Sequence, residues 1–226
     1  MGSIADNYHR LRDSIPDDVK ILAATKDRTV REVEEVIEAG AKVIGENYTR
    51  PEALRKYEEL GPMTDRVEWH LIGHLQKNDI NKALPMFDLI QTVESFRKAR
   101  HIDKRVPKAD KDFIRVYIEV NSAKEESKYG INPEFRELKQ LLVKMKELSH
   151  IRVEGLMTMG PYSSDPEEYR PFFQSTRSLF EKAKELNLEN SEMKVLSMGM
   201  SHSYQVAIEE GANMVRIGTE IFGPRD

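Results

Sequence analysis

One alternation limits what this chain can fold into more than anything else in it. Eight short apolar runs (Lys20–Thr25, Lys42–Gly45, Val67–Ile72, Met86–Val93, Phe113–Asn121, Ile151–Met157, Lys194–Met198 and Met214–Ile217) are separated by longer amphipathic stretches. Most of the runs are rich in Val, Ile and Leu, the composition of parallel strands buried on both faces. The stretches between them carry helix signals. Thr29-Val30-Arg31-Glu32 predicts a capping box ahead of Val33, Val36 and Ile37, with Ala39-Gly40 as the stop. Asn132-Pro133-Glu134 and Asp165-Pro166-Glu167 each place an N-cap residue before a proline suited to the first helical position. Leu138, Leu141, Leu142, Met145 and Leu148 recur at helical spacing, and Phe172, Phe173, Leu179 and Phe180 supply an inward face for a helix over 169–186. A further helix, roughly Ile4–Ser14, precedes the first run and is expected to cover one end of the sheet.

Eight strands alternating with helices, with no break in composition, predict an α/β fold: a single (β/α)8 TIM barrel over 1–226 with an extra N-terminal helix. A doubly wound open sheet is the alternative. At 226 residues the chain is short for the barrel, so some helices must be abbreviated, the last above all. The charged stretch Arg97–Asp112 is expected to be a solvated helix and loop.

A net charge of −4 and a pI near 6.0 speak against a broad nucleic-acid footprint. No apolar stretch reaches the length of a membrane span. The absence of cysteine excludes disulfides, thiolate catalysis and Cys-based zinc sites. The first residues, Met1-Gly2-Ser3-Ile4-Ala5-Asp6-Asn7, lack the basic and apolar regions of a signal peptide, so a cytoplasmic protein is expected.

In a parallel barrel the chemistry sits at the C-terminal strand ends. The first strand ends in Thr25-Lys26. An ammonium closing an apolar strand either snorkels to water or does chemistry, and a lysine amine can attack an aldehyde to form a Schiff base. The last two strands end in Ser197-Met198-Gly199-Met200-Ser201 and Arg216-Ile217-Gly218-Thr219. Glycines that admit a close backbone approach, beside hydroxyls near helix N-termini, suit a phosphate group. Arg216 stays charged near neutral pH; it can hold a neutral aromatic nitrogen or an anion but cannot serve as a proton donor. His70 and His74 invite a metal reading, which geometry discourages: four residues along a strand is ~13 Å, too far to share one ion.

Taken in order, Ala23-Ala24-Thr25-Lys26, Ile44-Gly45-Glu46-Asn47-Tyr48, Trp69-His70-Leu71-Ile72-Gly73-His74-Leu75-Gln76, Glu126-Ser127-Lys128-Tyr129-Gly130-Ile131, Gly155-Leu156-Met157-Thr158-Met159-Gly160, Leu196-Ser197-Met198-Gly199-Met200-Ser201 and Val215-Arg216-Ile217-Gly218-Thr219-Glu220-Ile221-Phe222-Gly223 closely resemble the pyridoxal phosphate homeostasis proteins. These share the barrel of the alanine racemase N-terminal domain. The resemblance implies that pyridoxal 5′-phosphate is held as a Schiff base on Lys26, with Ser201, Gly218 and Thr219 at its phosphate. Arg216 would face the pyridine nitrogen, Asn47 would lie near the phenolic oxygen, and Met200 would pack beside the ring. Lys128 is either a secondary contact or a surface lysine. An arginine opposite that nitrogen does not protonate it, which weakens the ring as an electron sink. Two positions depart from the family pattern: Ser203 stands where an aspartate is usual, and it can still cap the following helix, and Asp27 stands where small or hydroxyl residues are common.

The resemblance implies a cofactor carrier acting in intracellular pyridoxal phosphate homeostasis, without robust catalysis of its own. It is expected to be a monomer that meets apo-enzymes transiently. The alternative is an amino-acid racemase, which needs an acid/base on each face of the bound amino acid. Alanine racemases supply the second base from a tyrosine of a further β-domain; here the chain runs only to Asp226, and Tyr48, Tyr129 and Tyr162 are the loop substitutes. A third reading, an aldolase-type Schiff-base enzyme, would bind substrate carbonyls without a yellow chromophore.

Overall fold

The computed structural model describes residues 2–224. Its strands are β1 (Lys20–Ala24), β2 (Val43–Glu46), β3 (Glu68–Leu71), β4 (Leu89–Val93), β5 (Ile114–Glu119), β6 (Ile151–Met157), β7 (Ser191–Ser197) and β8 (Met214–Ile217). They pair in parallel in chain order and close on themselves, Leu22 of β1 standing beside Arg216 of β8. The helices are α1 (Ile4–Ser14), α2 (Val30–Glu38), α3 (Leu54–Leu60), α4 (Ile80–Met86), α5 (Phe96–Asp103), α6 (Phe135–Met145), α7 (Arg170–Lys184), α8 (Tyr204–Glu209) and α9 (Thr219–Phe222). The expected (β/α)8 barrel is thus the fold, and the last helix is a single turn.

Two layers of apolar side chains hold it. Outward residues of the strands, such as Ile21, Ile44, Val116 and Val215, meet the inner stripes of the helices, Val33, Val36 and Ile37 on α2 among them. Inward residues fill the lumen: Leu22, Val43, Leu89, Tyr117, Met157, Val195 and Met214 come from seven different strands. Side chains alternating in and out along each strand produce both layers from one β period.

Several boundaries differ from the sequence reading. Thr29 does cap α2, its hydroxyl accepting from the Glu32 amide while Glu32 reaches back. Asn132 does not cap α6. Its amide donates to Glu137 at 3.0 Å, and the helix starts at Phe135 behind Glu134, which makes no side-chain cap. Asp165 caps as expected, but a 3-10 turn, Pro166–Tyr169, comes before α7. Met86, read as strand, ends α4, which contains Pro85. Finally, α1 does not cover a barrel end. It packs outside the barrel against α2 and α9, donating from Asn7 to the Ile221 carbonyl at 3.0 Å. The one-turn α9 leaves that flank bare, and α1 fills it.

Candidate functional site

The local sequence carries Lys26 out of the sheet at the end of β1. Beyond it Asp27 turns through left-handed backbone, φ 59°. Lys26 is half-buried; its Nζ lies 3.8 Å from Asp27 Oδ2 and 5.3 Å from the centre of the Tyr48 ring. Pairing of β1 with both neighbours sets its surroundings. Ala23 stands beside Ile217 and Ala24 beside Gly45, so the turns holding Gly218-Thr219 and Asn47-Tyr48 flank Lys26 on either side. A side chain at Gly218 would touch the Ala24 carbonyl at 3.4 Å.

The β7 turn joins this group through the Arg216 amide, which donates to the Gly199 carbonyl at 3.0 Å. Gly199 takes φ 86°, and a Cβ there would lie 2.6 Å from Ala207, so only glycine fits the close turn into α8. Among the described residues, the amides of Ser201, Thr219 and Glu220 make no hydrogen bond to protein, and neither do the Ser201 and Thr219 hydroxyls. Unspent donors at adjoining turns are what an anion requires. Ser203 does not cap α8. Its Oγ accepts from the Met200 amide at 3.2 Å, so it shapes the loop that presents Ser201.

Arg216 is 4% exposed and sits in the upper lumen. Nη1 donates to the Ser197 carbonyl at 2.9 Å and the Ser197 hydroxyl at 2.8 Å, and Nη2 donates to the Thr158 carbonyl at 2.8 Å. Three of its five N–H groups are thereby used. All its protein partners are neutral, and among the described residues no carboxylate lies within ion-pair distance of it. Burial pulls its pKa down to about 10, with the field of Glu119 opposing, so the guanidinium remains charged near neutrality. Glu119, at the end of β5, is pushed up to about 7 by burial and by neighbouring Glu94, against Lys98 and Arg216. Its Oε2 is buried without a partner.

The Arg216 contacts continue as a hydrogen-bonded row across the lumen. Ser197 Oγ donates to Gln91 Oε1 at 2.8 Å, Gln91 Nε2 meets His70 Nδ1 at 2.9 Å, and His70 Nε2 meets Glu68 at 3.2 Å. The Gln91 amide donates, so Nδ1 accepts and the proton of a neutral His70 lies on Nε2. Burial lowers the His70 pKa, in keeping with the neutral ring. His70 is therefore a satisfied lumen residue. His74 lies elsewhere, stacked on Tyr129 with ring centres 3.8 Å apart. No group of potential metal ligands occurs among the described residues.

On the other flank, Glu46 and Lys56 are both fully buried and paired at 2.8 Å. Lys56 Nζ also donates to the Thr25 carbonyl at 2.5 Å and to Glu52 at 2.6 Å. Burial raises the Glu46 carboxyl above its usual range, with Lys56 pulling it back. Gly73 braces Asn47: a Cβ there would lie 2.1 Å from the Asn47 carbonyl.

The structure thus gathers Lys26, Asn47, Met200, Ser201, Arg216, Gly218 and Thr219 at the ends of β7, β8, β1 and β2. Of the three loop tyrosines only Tyr48 comes to Lys26; Tyr129 is on His74, and Tyr162 is 97% exposed. Lys128 bonds Glu125 at 2.6 Å and the Gly160 carbonyl at 2.8 Å, tying two loops together on the far side. A cavity of about 350 Å3 opens beside the mouth between β3 and β4, lined by residues such as His74, Glu94 and Lys98. It does not take in Lys26, and the donors that fit an anion lie across the mouth from it.

The whole chain, residues 1–226, matches the family model described as alanine racemase, N-terminal domain. Among curated relatives, a pyridoxal phosphate homeostasis protein of Aquifex aeolicus is 42% identical over 208 residues, spanning 91% of this chain and 87% of that one. One from Escherichia coli K12 is 34% identical over 238 residues, spanning 100% and 98%. Among solved structures, PipY of Synechococcus elongatus PCC7942 with PLP bound superposes with a TM-score of 0.86 at 29% identity, over 98% of this chain and 100% of that one. An alanine racemase of Clostridium difficile 630 superposes at 0.83 with 15% identity, over 99% of this chain and 57% of that one, a likeness of fold alone.

Proposed function

The chain belongs to the family of pyridoxal phosphate homeostasis proteins, and we propose that it holds pyridoxal 5′-phosphate reversibly on Lys26 in order to buffer or deliver it. One observation carries this reading: a half-buried amine, a set of unspent backbone and hydroxyl donors, and an un-neutralised guanidinium stand on adjoining strand ends. That donor set fits a phosphorylated, electron-poor aldehyde. When bound, the cofactor would supply an electron-poor aldehyde, and Lys26 is the residue whose amine would hold it.

The protein's own residues do the rest. Ser201, Gly218 and Thr219 hold the phosphate through amides and hydroxyls. Arg216 would donate toward the ring nitrogen with the N–H groups that Ser197 and Thr158 leave free. It keeps its proton, so the nitrogen gains a hydrogen bond without gaining a charge. Asn47, its backbone braced by Gly73, offers an amide to the phenolic oxygen, and Met200 packs at the edge of the ring. A ring held in this way is a poor electron sink, which supports keeping the cofactor over transforming amino acids with it. Action as a cytoplasmic monomer that passes the cofactor to apo-enzymes belongs to the same reading.

The test is spectroscopic and chemical. Wild-type protein mixed with pyridoxal phosphate is expected to develop a visible imine band, and borohydride to fix the adduct on the peptide containing Lys26. Lys26→Ala is expected to lose both. A band that survives in the variant defeats the assignment. Rapid conversion of L-alanine to its D-isomer by the loaded protein would establish the racemase reading instead.

A further inference from the structure

The buried cluster behind β1 grips both peptide groups that flank Lys26. The peptide before it offers the Thr25 carbonyl, which accepts from Lys56 Nζ at 2.5 Å. The peptide after it offers the Asp27 amide, which donates to Glu52 Oε1 at 2.5 Å. The same Glu52 oxygen accepts from Lys56 at 2.6 Å, so one ammonium closes the circuit. The third N–H of Lys56 goes to Glu46, which also accepts from the Thr25 hydroxyl at 2.7 Å. All three donors of the ammonium are engaged, and its side chain is 0% exposed.

Fixing the two peptide planes on either side of one Cα fixes the φ and ψ between them. The direction of the Lys26 Cα–Cβ bond then follows. This arrangement costs more than ordinary helix packing would ask, because an ion pair taken out of water must recover its desolvation through good geometry. An apolar residue on the inner face of α3 would pack the helix without that cost.

We propose that Lys56 is a positioning residue for Lys26: with Glu52 and Glu46 it sets the backbone that aims the Lys26 amine at the aldehyde. The proposal rests on the reading that Lys26 is the covalent anchor. It predicts that breaking the clamp weakens the covalent step and spares non-covalent recognition, because the phosphate donors lie on β7 and β8.

The informative variant is Glu52→Ala. It releases the Asp27 amide but leaves Lys56 paired with Glu46, so the protein is expected to fold. Three quantities are measured against wild type: exchange of the Asp27 amide in the cofactor-free protein, the equilibrium constant for the visible adduct, and affinity for 4′-deoxypyridoxine phosphate. That analogue carries a methyl group where the aldehyde would be. Loss of a hydrogen bond to a charged acceptor is expected to speed Asp27 exchange by about tenfold or more and to weaken the adduct by about tenfold. Affinity for the analogue should change less than about twofold. Glu52→Gln keeps an acceptor oxygen and is expected to restore most of the adduct constant. Folded Glu52→Ala with wild-type exchange or a wild-type adduct constant overturns the proposal, as does equal loss of both ligands. A wild type that forms no adduct at Lys26 overturns the anchor reading and the proposal with it, and that failure shows before any variant is made.

Discussion

Among the cations buried around the mouth of this barrel, Lys56 and Arg216 are treated in opposite ways. Lys56 meets two carboxylates and a carbonyl, and its charge is answered in full. Arg216 meets two carbonyls and a hydroxyl, and its charge is left standing. Both are desolvated, so the difference is one of purpose. A neutralised ion can hold backbone in place but has little field left for a ligand. An un-neutralised one costs stability, and what it retains is attraction for an electron-rich group brought in from outside. Under the proposed function, the contrast separates framework from recognition.

The largest expected effect breaks the comparison on the framework side. Lys56→Met strands Glu46 and part of Glu52 without a counter-charge, and removal of one partner from a buried pair costs about 3–5 kcal/mol. Thermal or urea unfolding measures this, and a cost below about 1 kcal/mol would mean that the cluster is poorly coupled to the fold.

The next prediction concerns Glu119, the carboxyl whose field reaches Arg216. With its carboxyl raised from 4.5 to about 7, the native state keeps a proton that the unfolded chain releases. Stability of the ligand-free protein should therefore fall as pH rises across that window, by up to about 3 kcal/mol from this group. Glu119→Gln should flatten that slope, as followed by melting temperature between pH 5 and pH 8. An unchanged slope would show that Glu119 does not titrate there. Glu68 has the opposite sign: its hydrogen bond with His70 and its proximity to Arg115 hold it at about 2, so its contribution is lost only as pH drops below the usual carboxylate range.

The smallest change in stability is expected on the recognition side. Arg216→Met leaves two carbonyls and a hydroxyl short of a donor but removes an unanswered buried charge. The net cost should stay within about 1–2 kcal/mol. Affinity for pyridoxal phosphate, measured in the same preparation, should drop by about tenfold or more. If Arg216→Met proved as destabilising as Lys56→Met, the distinction between the two cations would collapse.

Much of this contrast was legible in the sequence, but only on one side. Lys26, Ser201, Gly218 and Thr219 follow apolar runs and Arg216 interrupts one, and a strand end in a parallel barrel is a place where polar residues need a reason. The barrel itself followed from the alternation of strand-like and helix-like periods. Lys56 gave no such signal. In Arg50-Pro51-Glu52-Ala53-Leu54-Arg55-Lys56 it stands four residues after Glu52, like any solvated pair on an exposed helix face. Only the packing of α3 over Thr25 reveals it as interior. The row from Ser197 through Gln91 to His70 was hidden for a related reason. Its members lie on β7, β4 and β3 and touch only because the sheet closes. Met86 reads as strand but ends α4, because a short run of buried apolar residues reads alike as strand or helix.

The closure of the sheet has a consequence in time as well as in space. Lys26 lies at the end of the first strand made, and Gly218-Thr219 at the end of the last, and the two are brought together by the β1–β8 pairing and by α1 resting on α9. Contacts between such distant parts of a chain are the slow ones to form. During synthesis the amine emerges nearly two hundred residues before Gly218 and Thr219. On the proposed function, a nascent chain therefore carries the anchoring lysine for most of its translation without the turns that would retain the cofactor. Cofactor capture is then a property of the finished barrel, and under that reading loading with pyridoxal phosphate would report that the seam has shut.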